Sequence, residues 1–154
     1  MLTADINGKR EEAKKGLIGK CPLCESEVFP KCGRQNVHHW SHKKNQSCQP
    51  SYWYEPETMW HYHWKKAFGE GHLEVVIEKE GKKHFADIFT REEVVIELQN
   101  SPITIPVIET RENFYGERML WVINGSHFEE RFDIATEGRR NWVRERLKNT
   151  KNKI

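Results

Sequence analysis

Residues 73–98 read LEVVIEKEGKKHFADIFTREEVVIEL, and three short runs rich in β-branched and aromatic residues predict three strands there. The runs are Leu73 to Ile77, Phe85 to Phe89 and Val94 to Leu98. The segments between them, Glu-Gly-Lys-Lys and Thr-Arg-Glu-Glu, have the polar composition of turns. We therefore expect three strands that follow one another in an antiparallel arrangement.

Helical patterns flank these strands. Glu57 to Phe68 follows a proline and ends before a glycine, as a helix of about three turns would. Pro106 to Tyr115 predicts a second helix, Met119 to Ile123 a fourth strand, and Arg139 to Leu147 a basic helix near the end. The predicted order of helix, three strands, helix and strand is a mixed α/β (α+β) class with a mixed sheet.

Length and composition limit what the chain can be. Its 154 residues suffice for one compact domain and a small appendage, and we expect an N-terminal element over residues 1–50 and a core over 51–154. Hydrophobic residues make up 36%, with six Trp, which excludes a disordered polymer. The net charge of +2 requires that a nucleic acid be held by a local basic surface. Without a signal peptide or a spanning segment in the sequence, we expect a cytoplasmic protein.

Paired cysteines and histidines predict a zinc site in the N-terminal element. Cys21-Pro-Leu-Cys24 and His39-Trp-Ser-His42 each supply two ligands at a short spacing, as structural zinc sites require. The alternative is a set of unconnected surface residues. A second alternative concerns the ligand set, because Cys48 could replace a histidine. We expect Cys32 to pack as a small hydrophobic residue.

Acidic side chains interrupt the predicted strands. Asp87 lies within the second strand and Glu97 near the end of the third, so neighbouring strands would bring both carboxylates to one edge of the sheet. Oxygen ligands of this kind bind magnesium or manganese, which activates water for phosphodiester hydrolysis. On the preceding helix, Glu57 and His61 share a face with Lys65 at its edge. The alternatives are solvated strand-end charges and a histidine that is hydrogen-bonded at the seam between helix and sheet.

These motifs, taken in order, resemble the competence protein CoiA-like family. The resemblance runs from about Cys21 to Ile123 and includes Cys-Pro-x-Cys, His-Trp-Ser-His, Glu57-x-x-x-His61-x-x-x-Lys65, Ala-Asp87-Ile and Ile-Glu97-Leu-Gln99. It implies a PD-(D/E)XK nuclease with a restriction-endonuclease-like αβββαβ core and a small zinc-ribbon-like element, acting on DNA in uptake, recombination or defence.

The resemblance also assigns roles to individual residues. Asp87 and Glu97 would be the metal-binding acids and Glu57 the acid on the helix. Gln99 stands where the family's lysine is usual, and a glutamine can only form hydrogen bonds, so Lys65 is the candidate source of the missing charge. Arg111 and Tyr115 lie where such enzymes place groups that touch the scissile phosphate; the alternative is helix packing and an ion pair with Glu109 or Glu112.

Basic and aromatic residues outside these motifs are candidates for DNA contact. Lys43 and Lys44 form one of several lysine and arginine pairs, and Tyr52 to Tyr54 could stack on unpaired bases or seal the zinc element against the core. Three functions remain open on the sequence: a magnesium- or manganese-dependent deoxyribonuclease, a non-cleaving DNA-binding module, and an adaptor that docks a recombination or defence protein. A homodimer is compatible with cutting both strands.

Overall fold

A computed structural model describes residues 1–44, 48 and 57–127. These residues form two β-sheets, two α-helices and two short 3-10 turns, at Glu70–His72 and Gly125–His127. The strands and helices, in chain order, are β1 (Thr3–Ile6), β2 (Lys9–Glu12), β3 (Gly19–Lys20), β4 (Glu27–Lys31), β5 (His39–His42), α1 (Met59–Phe68), β6 (Leu73–Lys79), β7 (Lys82–Phe89), β8 (Val95–Gln99), α2 (Ile105–Tyr115) and β9 (Met119–Ile123).

The N-terminal sheet has five antiparallel strands in the order β2-β1-β3-β4-β5. The sequence analysis predicted only a metal-binding element here and missed the sheet. Its first hairpin turns at Asn7 and Gly8, which have φ of 53° and 78°. Asn-Gly is the preferred pair for a two-residue hairpin turn with positive φ at both positions, so this dipeptide was the signal that could have revealed the first two strands.

The second sheet has the order β6-β7-β8-β9, with the first three strands antiparallel and β9 parallel to β8. Helix α2 makes the crossover that the parallel pair requires. The predicted order of helix, three strands, helix and strand is therefore confirmed. Helix α1 begins at Met59 because the Thr58 side chain caps it by accepting the backbone N–H of His61.

The two helices cover different apolar groups of the second sheet. Ile88, Ile96 and Leu98 pack with α1 residues that include Trp60 and Phe68. Another cluster joins α2 to the sheet, with Ala86, Val95 and Tyr115 as its buried members. Strands β7 and β8 thus pack against both helices. This packing fixes the backbone that carries the predicted acidic residues.

The N-terminal sheet packs directly on the second sheet. Its core contains Trp40, which is 1% exposed, and the β6 and β7 residues Val76 and Phe85 lie against that core. An ion pair of 2.8 Å between Lys66 Nζ and Glu12 Oε1 joins α1 to β2. The predicted division at residue 50 stays a prediction, but residues on both sides of it share this apolar contact.

Part of the sequence interpretation falls on residues that the structure does not describe. The predicted basic helix at 139–147 and the aromatic residues at 52–54 lie outside the described residues. Among the residues that are described, neither helix has the length and apolar character needed to cross a membrane.

Candidate metal centre and acidic cavity

Three cysteines and one histidine converge beside the N-terminal sheet. The ligand atoms of Cys21, Cys24, His42 and Cys48 all lie within 4.8 Å of one another. The Sγ atoms of Cys21 and Cys48 are 4.0 Å apart, and Cys24 Sγ is 3.3 Å from His42 Nε2. Tetrahedral zinc with bonds of about 2.0–2.3 Å would separate its ligand atoms by roughly 3.3–3.8 Å. The group therefore fits a metal such as zinc.

His39, which was predicted as a zinc ligand, lies outside this group, and Cys48 takes its place. His39 and His42 belong to the same strand, β5, and residues three apart on a strand point to opposite faces. The His39 Nδ1 atom instead lies 2.8 Å from the carbonyl oxygen of Val37. Cys32 packs against the N-terminal core, where its thiol donates to the Ala13 carbonyl at 3.5 Å. The structure thus selects the alternative that the sequence left open for Cys48.

The thiols of this group differ in acidity because their surroundings differ. Burial raises the pKa of Cys21 and also that of Cys48. Burial acts in the same direction at Cys24, but hydrogen bonds from the side chain and backbone of Ser26, and then from His42, outweigh it and lower its pKa to about 6. Cys24 is therefore the member most readily present as a thiolate, the form that binds metal.

Substitution distinguishes the two candidate ligand sets. Cys48→Ser is expected to lower zinc affinity by at least about tenfold, because a thiolate ligand is lost. His39→Ala is expected to retain one zinc per chain. Elemental analysis after dialysis against a competing chelator measures both. Equal zinc loss from the two variants would contradict the Cys48 assignment.

An ammonium group lies among three carboxylates at the second sheet. Lys65 Nζ is 3.1 Å from Glu57 Oε1, 3.2 Å from Glu74 Oε1 and 3.1 Å from Asp87 Oδ1. The lysine is only 2% exposed. Its burial favours the neutral amine, but the charges of Asp87, Glu74 and Glu57 outweigh burial and hold the pKa of Lys65 well above its usual range. Lys65 is thus a fixed cation beside Asp87.

Glu97 lies next to Asp87 on the neighbouring strand. Strands β7 and β8 pair Ile88 with Ile96, and this register continues to place Asp87 opposite Glu97. The Asp87 N–H lies 3.4 Å from Glu97 Oε1, and Arg111 Nη1 donates to Glu97 Oε2 at 2.9 Å. Burial, together with the charge of Asp87, raises the pKa of Glu97 to about 8 despite Arg111. The carboxylates of Asp87 and Glu97 therefore repel each other, and the burial of Glu97 limits how far water screens this repulsion.

His61 and Gln99 each lie within hydrogen-bond distance of a backbone carbonyl, and His61 also contacts the Thr58 hydroxyl. The His61 ring lies between Thr58 Oγ1, at 2.8 Å from Nδ1, and the Leu98 carbonyl, at 3.2 Å from Nε2. This is the hydrogen-bonded position between helix and sheet that was the alternative to a catalytic role for His61. The amide of Gln99 donates to the Ser101 carbonyl at 2.7 Å. Gln99 is an amide and therefore adds no charge to the acidic group.

The predicted DNA-contacting residues divide into a buried and an exposed pair. Tyr115 is 5% exposed and its hydroxyl donates to the Phe85 carbonyl at 2.7 Å. Arg111 is 4% exposed and lies 5.6 Å from the Trp121 ring centre. Lys43 and Lys44 are exposed on the N-terminal sheet side. Of the four, only the two lysines lie on a surface open to a large ligand.

Three members of the metal group, Cys21, His42 and Cys48, line one cavity of about 230 Å³ together with the acidic group. One wall comes from the N-terminal sheet and its metal group, and the other from α1, the second sheet and α2. Residues that matter for the chemistry are Cys21, Cys48, Lys65, Asp87, Glu97 and Arg111. The N-terminal sheet is therefore part of the wall around the acidic side chains.

Glu57, Asp87 and Glu97 do not converge as closely as the metal group. Among the described residues, the group of His, Cys, Asp or Glu side chains placed to hold a metal ion is Cys21, Cys24, His42 and Cys48. Glu57, predicted as a third metal-binding acid, pairs with the ammonium of Lys65. Lys65 Nζ thus lies between the carboxylates of Asp87 and Glu57.

Glu74 is the residue of this group that the sequence analysis missed. It is 2% exposed and binds Lys65, yet it lies in the strand Leu73–Lys79 between apolar neighbours. Glu97 was singled out because an acid interrupts an apolar strand. The same criterion applied to Leu73-Glu-Val-Val would have found Glu74.

Comparison with known proteins gives one match, over the N-terminal part of the chain. Residues 9–51 match the family described as Competence protein CoiA, N-terminal domain. The matched range contains Cys21, Cys24, His42 and Cys48. The match supports the CoiA-like resemblance for this part of the chain. No curated protein and no solved structure matches the chain.

Proposed function

We propose that this protein is a magnesium- or manganese-dependent nuclease that hydrolyses phosphodiester bonds of DNA, with a PD-(D/E)XK-type core. The observation that carries the proposal is the arrangement of Asp87, Glu97 and Lys65. The two carboxylates lie opposite each other on β7 and β8, and Lys65 Nζ lies 3.1 Å from Asp87 Oδ1. Two acids and one ammonium in a cavity are the groups that metal-assisted phosphodiester hydrolysis uses.

The charges of the cavity favour a divalent cation. Burial and the nearby Asp87 raise the pKa of Glu97 to about 8, so the protein bears an energetic cost for keeping both acids charged. A cation between them would offset the repulsion. Magnesium prefers oxygen ligands and binds through one or two carboxylates together with water and phosphate. Asp87 and Glu97 match that donor set.

Each cavity residue has a role in this proposal. A divalent ion would polarise the phosphate and activate the attacking water. The family usually has a lysine at the position of Gln99, and that lysine supplies a positive charge. In this proposal Lys65, which is held by Glu57 and Glu74, would supply the charge instead. Arg111 would orient Glu97 through the 2.9 Å contact and add positive charge for the phosphate. Lys43 and Lys44 would bind the DNA backbone.

The fold and the family match support a role with DNA. The order α1, β6, β7, β8, α2, β9 is the αβββαβ order that the resemblance to PD-(D/E)XK nucleases implies. The N-terminal match to a competence protein family favours DNA uptake or recombination as the setting. Both points concern DNA handling, and the acidic cavity supplies the chemistry.

Cleavage assays with one charge-removing variant test the proposal. Wild-type protein is expected to cut plasmid or single-stranded DNA with magnesium or manganese and to stop when EDTA is added. Glu97→Gln keeps the shape but removes the charge, and is expected to lower kcat/KM by at least about hundredfold. Glu78→Gln is the matched control, because Glu78 lies on the same sheet with a side chain that is 57% exposed.

A second candidate, a non-cleaving DNA-binding module, is favoured by Gln99, whose amide binds the Ser101 carbonyl and carries no charge. The same experiment separates the two. Absence of cleavage with either metal, together with DNA binding that is unchanged by leaving out both metals and by Glu97→Gln, would replace the nuclease proposal with the binding module. Absence of both cleavage and DNA binding would leave the adaptor as the better hypothesis.

A further inference from the structure

Glu74 connects the N-terminal sheet to the acidic cavity through its two carboxylate oxygens. Oε1 accepts the backbone N–H of Leu2 at 2.7 Å and an N–H of Lys65 at 3.2 Å. Oε2 accepts the backbone N–H of Thr3 at 3.1 Å and lies 3.8 Å from Arg10 Nη2. The side chain is 3% exposed. One buried carboxylate therefore joins β1 and β2 to the ammonium that contacts Asp87.

The backbone at Glu74 is unusual for a strand residue. Its φ is +47°, in the left-handed region that residues other than glycine rarely adopt. Strands β6 and β7 pair Leu73 with Ile88 and Val75 with Ala86, so Glu74 lies opposite Asp87. A strained conformation persists only where surrounding contacts determine it. Here those contacts are with the N-terminal sheet and Lys65.

We propose that Glu74 is a positioning residue that holds the Lys65 ammonium against Asp87 and makes this geometry depend on the N-terminal sheet. The inference rests on the proposed nuclease function for its catalytic consequence. Three carboxylates among the described residues contact Lys65, and one of them, Glu74, also binds Thr3 of β1 and Arg10 of β2. The N-terminal sheet thereby acts on catalysis through one side chain, in addition to forming a wall of the cavity.

Glu74→Gln tests the role because the amide has the same size and no charge. We expect kcat to fall about tenfold, the change that follows from losing one hydrogen bond to a charged group. The KM for DNA and the manganese concentration at half-maximal rate are expected to change by less than about twofold, because Asp87 and Glu97 are intact. Glu78→Gln, on the same strand, is the carboxylate control.

The Arg10→Met variant separates positioning of the Lys65 ammonium from a role in simply holding the two sheets together. Arg10 contacts Glu74, Thr3 and, at 5.9 Å, the Phe85 ring, so its loss weakens the junction of the two sheets and leaves Glu57, Glu74 and Asp87 in place around Lys65. If Glu74 only holds the two sheets together, Glu74→Gln and Arg10→Met would lose kcat in the same proportion to their loss of Tm. That outcome would overturn the inference. We expect Glu74→Gln to lose more activity than Arg10→Met at a matched loss of Tm.

The NMR signal of the Lys65 ammonium gives a readout that needs no activity. Buried, hydrogen-bonded ammonium protons exchange slowly with water, so the ¹H–¹⁵N signal of Lys65 is expected in wild type and in Arg10→Met, and to shift or broaden in Glu74→Gln. An unchanged signal in Glu74→Gln would refute the positioning role. If wild-type protein cleaves no DNA, the nuclease proposal fails, and this signal alone decides whether Glu74 holds Lys65.

Discussion

Replacing Lys65 with methionine is expected to lower the free energy of unfolding by about 3–5 kcal/mol at pH 7. Methionine fills a similar volume but removes the ammonium that lies within 3.2 Å of Glu57, Glu74 and Asp87. The carboxylates would then repel one another in a buried setting. Urea denaturation followed by circular dichroism measures the loss, which is a large part of the 5–15 kcal/mol typical of a domain.

Lys66 provides the matched control for this substitution. It is the next residue on α1, and its ion pair with Glu12 has side chains that are 35% and 42% exposed. Exposed pairs of this kind contribute about 0–1 kcal/mol. Lys66→Met is therefore expected to change stability little. A similar loss in both variants would show that the Lys65 effect comes from the helix and not from the buried charges.

Lowering the pH should reduce the difference in the free energy of unfolding between wild type and Lys65→Met. Burial would raise the pKa of Glu74, but the charge of Lys65, the ammonium of Met1 and the N–H groups of Leu2 and Thr3 outweigh it and hold that pKa at about 2. A carboxyl with a lowered pKa stabilises the fold above its unfolded value of about 4.3, and this contribution disappears as the pH falls through the folded value. The two stabilities are therefore expected to converge between pH 4.5 and 2, roughly. A constant difference over that range would contradict the pairing.

Removing zinc is expected to unfold the N-terminal sheet. Structural zinc contributes about 10 kcal/mol or more to the folding of small metal-binding elements. The core around the metal group is small: beside Trp40, Val28 and Leu23, its buried members are mainly alanine and cysteine. A chelator, or Cys21→Ser, is expected to remove protection from hydrogen exchange in residues 1–44 before residues 73–99. Mass spectrometry of the exchanged peptides measures this order.

Zinc loss should also abolish cleavage when magnesium is saturating. Cys21, Trp40 and Cys48 line the wall of the cavity opposite Asp87 and Glu97, so unfolding of the sheet would open the cavity to water. His38→Ala is the control, because His38 is exposed and lies outside both the metal group and the cavity lining, so its variant is expected to retain both zinc and cleavage. Full exchange protection in zinc-free protein would show that the sheet folds without the metal.

Much of the second sheet could be predicted from the sequence. Alternation and short polar turns over residues 73–98 predicted β6, β7 and β8, and proline and glycine at helix ends predicted α2. The N-terminal sheet was missed because its strands are two to five residues long and mostly polar, so burial leaves little periodic pattern. Only Asn7-Gly8 marked it.

The residues of the candidate site also divide into those that the sequence predicted and those that only the tertiary structure revealed. Residue types and short spacings within each pair predicted Cys21, Cys24 and His42 as metal ligands, and the order of the strands predicted Asp87 and Glu97 as neighbours on adjacent strands. Tertiary structure decided between His39 and Cys48 and brought Glu74 to Lys65. Cys48 and Glu74 reach their partners across 27 and nine residues of chain through the packing of separate elements. Local spacing contains no information about such contacts, since only the folded core sets their distances.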